Sequence, residues 1–470
     1  MGLFNLITAR PHQAFEKIRL SPHSLVARRT MEDVFESFTD PDGNFIEQFQ
    51  SNGFDARVLE LCLYAAFSEM GYCVHRPKAP DFVIERNGYR IAVEATTTNP
   101  STSGVLAQDG RALHSLSREE LWEYLHNEWA IRLGGPLTAK LQKRYWDRRE
   151  CSGLPLVLAI EAFHDPLALH LSHTTVAEYL YGFQVVSRAI IAGQMVAEPA
   201  HLGAHNLGMK SIPSGFFNLP DAENISAVIF TNAATSGKFT RMGWEKHGGI
   251  TATNVARVGA MWNSDPDVRH ATWFAYDLRE PLMRERWTDG MVVLHNPRAR
   301  VPLPNGAFGE LTQVYTPFEE NFAKRHVFSS RTILNASPSG SFKPIEVPCI
   351  PRHEGRALAA SLPEIVTSDY WVADKEREFL GVVTQDTEEP NDWRAWSLGR
   401  ADDGLHYPIA GESKLFSLDH EAVDFMQERI AFLSFRSRNS TEVATWLPSL
   451  FPRTLAELVA RQERSGEEDG

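Results

Sequence analysis

Three acidic residues between positions 54 and 94 could together bind a cation. Glu60 lies in a segment with the apolar pattern of a buried helix, whereas Asp81 and Glu94 each interrupt an apolar, strand-like segment. Burying a carboxylate in such a strand costs several kcal/mol unless something compensates its charge. A divalent cation is the simplest compensation, because hard cations prefer carboxylate oxygens as ligands. The pattern predicts a metal site with Asp81, Glu94 and Glu60 as its ligands.

The elements that would position these acids are a helix followed by three strands. The sequence predicts a helix from Phe54 to Met70, a short strand from Tyr72 to His75, and strands from Pro80 to Glu85 and from Tyr89 to Thr97. Asn87-Gly88 separates the last two strands, and an Asn-Gly pair between apolar runs is the strongest short signal for a β-hairpin. Asp81 and Glu94 are therefore predicted to lie on neighbouring strands.

Two more helices and a central strand are predicted to follow. The first helix runs from Arg118 to Trp129, and Gly134-Gly135-Pro136 is predicted to break the chain before a second helix from Leu137 to Arg149. The continuous apolar run from Leu154 to Ile160 is typical of a strand that is covered on both faces. The order of elements predicts an α/β fold, with a mixed sheet flanked by helices and additional α+β domains.

Two short motifs in these elements resemble the signature of the PD-(D/E)xK nuclease superfamily. Pro80-Asp81 resembles its PD element, Glu94-Ala95-Thr96 resembles its (D/E)xK element, and Glu60 resembles the helical glutamate that often completes the metal site. The resemblance covers Phe54 to Phe163, and it implies the restriction endonuclease-like fold.

The resemblance also implies a function. It implies a magnesium- or manganese-dependent nuclease that hydrolyses phosphodiesters, with DNA favoured because the superfamily mostly cuts DNA. The cation would neutralise charge on the phosphate and lower the pKa of the attacking water. Gln142 and Tyr145 resemble, at a different spacing, the Gln and Tyr of exonuclease-type members.

The chain departs from the superfamily pattern at one position, because Thr96 stands where the signature has lysine. That lysine orients the water or stabilises developing charge, and in some relatives the following helix donates it. On the predicted helix from Leu137 to Arg149, Lys140 and Arg144 flank the apolar face, whereas Lys143 points farther away. Lys140 is therefore predicted to be the catalytic lysine.

The candidate substrate-binding residues are Arg144, Lys143, Thr96 and Arg57. Ordinary structural roles stay open for each of these features. Glu60 could pair with Arg57 one turn earlier, Asp81 could be a turn residue after Pro80, and the basic helix could be a solvated face. Glu94 is the hardest to explain in this way, since a strand with such apolar neighbours rarely carries an unpartnered carboxylate.

The composition limits the class of protein. The 470 residues have a formal net charge of -13, which argues against general coating of nucleic acid but leaves room for a locally basic site. The most basic short segment runs from Arg132 to Arg149. The four cysteines show no paired spacing, and there is neither a secretory leader nor a membrane-spanning apolar run. The sequence predicts a cytoplasmic protein that does not enter a membrane.

The predicted domains are a helical arm over residues 1–50, a nuclease core over 51–170, an extension of the α/β domain over 171–335, and a C-terminal recognition or control domain over 342–470. The extension contains a predicted helix near Val176 to Met195, and Ala336 to Ser341 is a predicted linker. The C-terminal domain could bind a protein partner, and a homodimer is compatible with the sequence. Two alternatives stay open: a catalytically retired nuclease fold that binds nucleic acid or protein, and a defence assembly in which the nuclease is the effector of a larger sensor.

Overall fold

A computed structural model describes two compact units of the chain. The first consists of residues 1–251 and 285–329, and the second of residues 252–284 and 330–470. The described residues are 2–99, 123–163, 168, 173–191, 194–250, 254–261, 272–279, 284–316, 319–321, 326–335, 345–346, 349–350, 370–373, 379–385, 393–400, 406–416, 422, 425–426 and 429–430.

The first unit begins with helices that pack on one another through aromatic residues. They are α1 (Gln13–Leu20), α2 (Leu25–Glu36), α3 (Phe45–Gln50) and α4 (Phe54–Glu69). The rings of Phe49 and Phe54 lie 5.3 Å apart, and those of Phe4 and Phe15 lie 5.7 Å apart. The helical arm predicted over residues 1–50 is thus joined to α4 by ring contacts.

An eight-stranded mixed sheet forms the centre of this unit, in the order β1-β2-β3-β4-β9-β12-β13-β14. Its strands are β1 (Cys73–His75), β2 (Phe82–Arg86), β3 (Tyr89–Thr98), β4 (Leu156–Ala162), β9 (Ala227–Thr231), β12 (Met291–His295), β13 (Thr312–Thr316) and β14 (Glu319–Asn321). Strands β3, β4 and β9 are parallel, whereas β1, β2 and β3 form an antiparallel meander. The predicted α/β class and mixed sheet are confirmed.

The turn between β2 and β3 fixes how these strands pair. Asn87 and Gly88 both have positive φ, at 53° and 80°, which is the conformation that a two-residue hairpin turn of this type requires. The resulting register places Phe82 opposite Val93, and Asp81 therefore precedes β2 at the level of Glu94. A shift of one residue would move every side chain of β3 to the other face of the sheet.

Helices cover both faces of the sheet. Helix α4 packs on one face, where Phe67, Val93 and Val157 share a core. Helices α5 (Trp129–Gln142) and α6 (His173–Tyr181) lie in the core of the other face, with Leu158. Strand β4 is buried along its whole length, which explains why its sequence is a continuous apolar run.

Helix α5 corrects the prediction at Gly134-Gly135-Pro136, since it runs through these residues without a break. The leucines at positions 133, 137 and 141 are buried on one face of the helix, and this packing overrides the hydrogen bond that proline removes. Gly134 allows a close approach, because a Cβ there would lie 2.7 Å from the Tyr179 hydroxyl. The helix also ends at Gln142, whereas the sequence predicted Arg149.

The helix predicted from Val176 to Met195 is also wrong in its second half. Helix α6 ends at Tyr181, Gly182 has a φ of 79°, and the chain continues as strand β5 (Phe183–Ile191), which pairs with β6 (Gln194–His201). The β-branched residues of this segment favour a strand, and the glycine is a typical helix C-terminus. Strands β7 (Ala204–Leu207) and β8 (Lys210–Pro213) and helices α7 (Ser236–Met242) and α8 (Trp244–His247) complete the first unit.

The second unit contains two further sheets. One has the order β15-β10-β11-β16, formed by β10 (Asn254–Met261), β11 (Thr272–Asp277), β15 (Val327–Asn335) and β16 (Ile345–Glu346). The other has the sequential order β17 (Cys349–Ile350), β18 (Tyr370–Ala373), β19 (Phe379–Gln385), β20 (Trp393–Arg400) and β21 (His406–Phe416). Residues 252–284 belong to this unit, although they fall within the predicted extension, and the predicted linker at 336–341 lies outside the described residues. None of the described helices is long and apolar enough to cross a membrane.

Candidate active site

Asp81 and Glu94 lie side by side at the end of the β2–β3 hairpin that is away from its turn. The Asp81 amide donates a hydrogen bond to Glu94 Oε2 at 3.1 Å. In return, the Ala95 amide donates to Asp81 Oδ2 at 2.8 Å. These reciprocal bonds fix both carboxyl groups to the backbone of the neighbouring strand. The predicted placement of the two acids on adjoining strands therefore agrees with the structure.

Lys140 of helix α5 forms an ion pair with Glu94 through its Nζ and Oε1. Both side chains are largely buried, with 17% of Lys140 and 5% of Glu94 exposed. The lysine reaches Glu94 because α5 crosses the sheet face above β3, held by the leucines that precede it. The structure thus places a lysine of the following helix against Glu94, and the role of Lys140 as the catalytic lysine in place of Thr96 stays a prediction.

Tyr145, which the sequence singled out only for its resemblance to the tyrosine of exonuclease-type members, also contacts Glu94. Its hydroxyl donates to Glu94 Oε1 at 2.5 Å, and its ring is buried. The chain reaches this position because Arg144 adopts a left-handed conformation directly after α5, with Tyr145–Asp147 forming a short 3-10 turn. Burial raises the pKa of the Tyr145 hydroxyl, and its hydrogen bond to Glu94 raises the pKa further. The phenol is therefore a neutral donor that helps to hold Glu94.

The carboxyl group of Asp81 has a raised pKa in the folded protein. Burial, followed by the neighbouring charges of Glu60 and Glu94, raises the pKa of the Asp81 carboxyl to about 8, while Lys140 and the Ala95 amide oppose the shift. Asp81 therefore retains a proton at neutral pH unless a cation replaces it. A carboxyl group that is buried beside a second carboxylate in this way could bind a divalent cation, because such cations prefer carboxylate oxygens.

The carboxylate of Glu60, the third predicted ligand, is paired with two arginines. Its Oε1 accepts a hydrogen bond from Arg57 at 2.5 Å, and its Oε2 accepts one from Arg76 at 2.6 Å. Two buried arginine contacts compensate its charge without a metal. No group of three or more His, Cys, Asp or Glu side chains among the described residues is arranged to hold a metal ion. The three predicted ligands therefore do not form a three-acid cluster among the described residues, and a metal site at Asp81, Glu94 and Glu60 stays a prediction.

The four predicted substrate-binding residues differ in whether they already have a carboxylate partner. Arg57 is occupied by Glu60 and by Gln48, and the exposed Arg144 pairs with Asp147 at 2.8 Å and with Asp221 at 3.0 Å. Both arginines thus have carboxylate partners, and a contact of either with substrate stays a prediction. Thr96 lies half-buried on β3, two residues beyond Glu94, and Lys143 is exposed at the end of α5.

Arg148 is a better candidate than Arg144 for a substrate contact. It is exposed, makes no ion pair within the described part of the chain, and lies with its guanidinium carbon 5.2 Å from the centre of the Tyr145 ring. A helix that continued to Arg149 would not place Arg148 beside the tyrosine that holds Glu94, and the turn after Gln142 does. The only sequence signal was its membership of the basic segment.

A separate cavity of about 300 Å³ lies in the first unit. Its polar lining comes from Arg286, Thr288, Asp289, Glu310 and His326. It includes none of the acids or the lysine described above. The cavity therefore does not belong to the Asp81–Glu94 site.

Comparison with known proteins gives no relative from which a function could be transferred. No family model matches the sequence, and neither the curated proteins nor the solved structures contain a match. What supports a function is therefore the set of contacts among Asp81, Glu94, Lys140 and Tyr145.

Proposed function

We propose that this chain is a metal-dependent nuclease, with Asp81, Glu94 and Lys140 as its catalytic residues and a restriction endonuclease-like core in its first unit. The observation that carries the proposal is the ion pair between Lys140 and Glu94, directly beside a carboxyl group whose pKa lies near 8. Two acids and one lysine in contact are the minimum that this chemistry needs from the protein.

Each residue has a distinct task in this proposal. Asp81 and Glu94 would hold Mg²⁺ or Mn²⁺, which supplies charge neutralisation at the phosphate and acidification of the attacking water. Asp81 gives up its proton when the cation is bound. Lys140 lies next to the site where negative charge develops and stabilises it. Tyr145 keeps Glu94 in place by donating to the same oxygen that Lys140 contacts.

The proposed substrate is nucleic acid, with DNA favoured over RNA. Arg148 and Lys143 are exposed cations on the segment that follows α5, and such residues contact phosphates without reading sequence. A cytoplasmic location, a role as the effector of a defence system, recognition or control by the C-terminal residues, and a homodimer are further parts of the proposal that rest on the sequence.

The alternative is a retired nuclease fold that binds nucleic acid or a protein without cutting it. Thr96 at the signature position favours this alternative, and so does the engagement of Glu60 by two arginines. The contact of Lys140 with Glu94 favours an active enzyme, because a helix-borne lysine can replace the missing one.

One experiment separates these possibilities. The purified chain is incubated with supercoiled plasmid, single-stranded DNA and RNA in the presence of Mg²⁺, Mn²⁺ or EDTA. Cleavage should need a divalent cation and should be lost in Glu94→Gln, whereas Glu85→Gln, an exposed glutamate of the same hairpin, should cut normally. Cleavage in EDTA, or by Glu94→Gln, would refute the site. Mn²⁺ binding without cleavage would favour the retired fold.

A further inference from the structure

Arg76 connects three separate parts of the first unit at the edge of the candidate site. Its Nη2 donates to Glu60 Oε2 of α4 at 2.6 Å, and its Nε donates to the Asp81 carbonyl oxygen at 3.3 Å. Its Nη1 donates to the Thr39 carbonyl oxygen at 3.3 Å. One guanidinium therefore fixes the main chain of Asp81 relative to both α4 and the N-terminal arm.

Aromatic packing holds this guanidinium in one orientation. The guanidinium carbon lies 3.8 Å from the centre of the Phe38 ring and 5.1 Å from that of Phe82, and only 5% of the side chain is exposed. A planar fork with five donors can meet three acceptors while it stacks on a ring, which a lysine ammonium cannot do. The contacts thus require arginine at this position.

Glu60 provides the counter-charge that this buried arginine needs. Burial lowers the pKa of Arg76, and the opposing charge of Glu60 is the largest effect that restores it. A buried ion pair adds little net stability compared with apolar residues of similar volume. Its presence here, against the backbone of a proposed catalytic residue, suggests that it serves to position Asp81.

We propose that Arg76 is a positioning residue of the candidate active site, with Glu60 as its counter-ion and the N-terminal arm as its support. Arg76 holds the Asp81 backbone where the Asp81 amide donates to Glu94 and the Asp81 carboxyl group accepts from the Ala95 amide. The consequence for catalysis rests on the proposed nuclease function. The consequence for the structure applies to the metal-free protein as well.

Amide hydrogen exchange, measured by NMR without metal, tests the structural part. In Arg76→Gln, the Ala95 amide, which donates to Asp81, should exchange about tenfold faster or more, as expected for a local opening. The Ala92 amide of the same strand donates to the Pro155 carbonyl and should keep its rate. Equal acceleration of both amides, or of neither, would overturn the proposal.

Two further variants keep this test decisive. Arg76→Lys retains the charge and should also accelerate exchange at Ala95, which matters if Arg76→Gln does not fold. Arg86→Gln removes an arginine that pairs with Glu310 at 2.8 Å elsewhere on the hairpin, and it should leave the Ala95 rate unchanged. An unchanged rate in Arg76→Lys would show that only the charge matters and would overturn the role of the fork.

Mn²⁺ affinity, measured by calorimetry, separates the counter-ion role of Glu60 from a ligand role. If Arg76 positions Asp81, Arg76→Gln and Glu60→Gln should each weaken Mn²⁺ binding by about 10–100-fold, and the double variant should be no weaker than either single variant. If Glu60 is a ligand, Arg76→Gln should instead strengthen binding, because it frees Oε2 of Glu60 while Oε1 stays paired with Arg57. A wild-type chain that binds no Mn²⁺ would refute the nuclease proposal, while the exchange measurement would still decide the role of Arg76.

Discussion

Replacing Asp81 by asparagine should make the metal-free protein more stable at alkaline pH. The folded protein raises the pKa of Asp81 from its ordinary 3.8 to about 8, so the folded state favours the protonated form. The stability associated with that proton is complete below about pH 4 and is lost as the pH rises through about 8. Asparagine is neutral throughout and keeps an oxygen that can accept from the Ala95 amide, so it avoids this loss.

The size of the effect follows from the same two pKa values. At 1.36 kcal/mol for each pH unit, the advantage of Asp81→Asn should grow by about 1.4 kcal/mol per unit between pH 4 and pH 8. It should reach about 6 kcal/mol at most and then level off. The pH dependence of the difference reports on Asp81 and on its interactions with Glu60, Glu94 and Lys140, because groups far from Asp81 titrate equally in both proteins.

The assay is urea denaturation of both proteins in EDTA at a series of pH values from 5 to 9. Asp42→Asn, which changes an exposed aspartate of the arm, is the matched control and should show no such slope. A difference between Asp81→Asn and wild type that does not change with pH would refute the argument that Asp81 is protonated in the folded state. Mn²⁺ should reverse the order of stability at pH 8, because only the wild-type carboxylate can bind it.

The other predictions concern cleavage. Lys140→Ala should lower kcat on the order of a hundredfold, whereas Lys143→Ala should mainly weaken binding at higher salt; equal kcat values in single-turnover assays would contradict this. Tyr145→Phe should lower kcat about tenfold with little change in KM, since it removes one bond to Glu94; an unchanged kcat would show that Lys140 suffices. Arg148→Ala should reduce the salt dependence of DNA binding, whereas Arg144→Ala should not, because two carboxylates already pair with Arg144. Filter binding at several salt concentrations measures this dependence. A reduced salt dependence in Arg144→Ala but not in Arg148→Ala would contradict the prediction.

The local pattern of the sequence was sufficient to predict the hairpin and its acids. The Asn87-Gly88 turn and the alternation on each side of it are short-range signals, and they place Asp81 next to Glu94 without knowledge of the rest of the fold. Lys140 was also predictable, because the helical period from Leu137 to Leu141 is the same whether or not the helix begins earlier.

Long-range packing determined the features that the sequence did not predict. Helix α5 continues through Pro136 because its leucines are buried on the sheet, and it stops at Gln142 because the chain turns at Arg144. That turn brings Tyr145 to Glu94, which a helix continued to Arg149 could not show. The pairing of Glu60 with Arg76 was missed for a similar reason, because Arg76 lies in a loop whose course depends on Phe38 and Phe82.

The interrupted course of the chain in the first unit has a consequence for its folding during synthesis. The candidate site is encoded by residues 54–145, but the sheet that supports it is completed only by β12, β13 and β14, after the chain has passed through residues 252–284 of the second unit. Until β12 is made, the outer edge of β9 has no partner strand, and an unpaired edge invites association with other chains. We therefore expect the ribosome-bound chain to depend on chaperones until Asn321, the end of β14, has emerged, and folding to be slow because these pairings are distant in sequence.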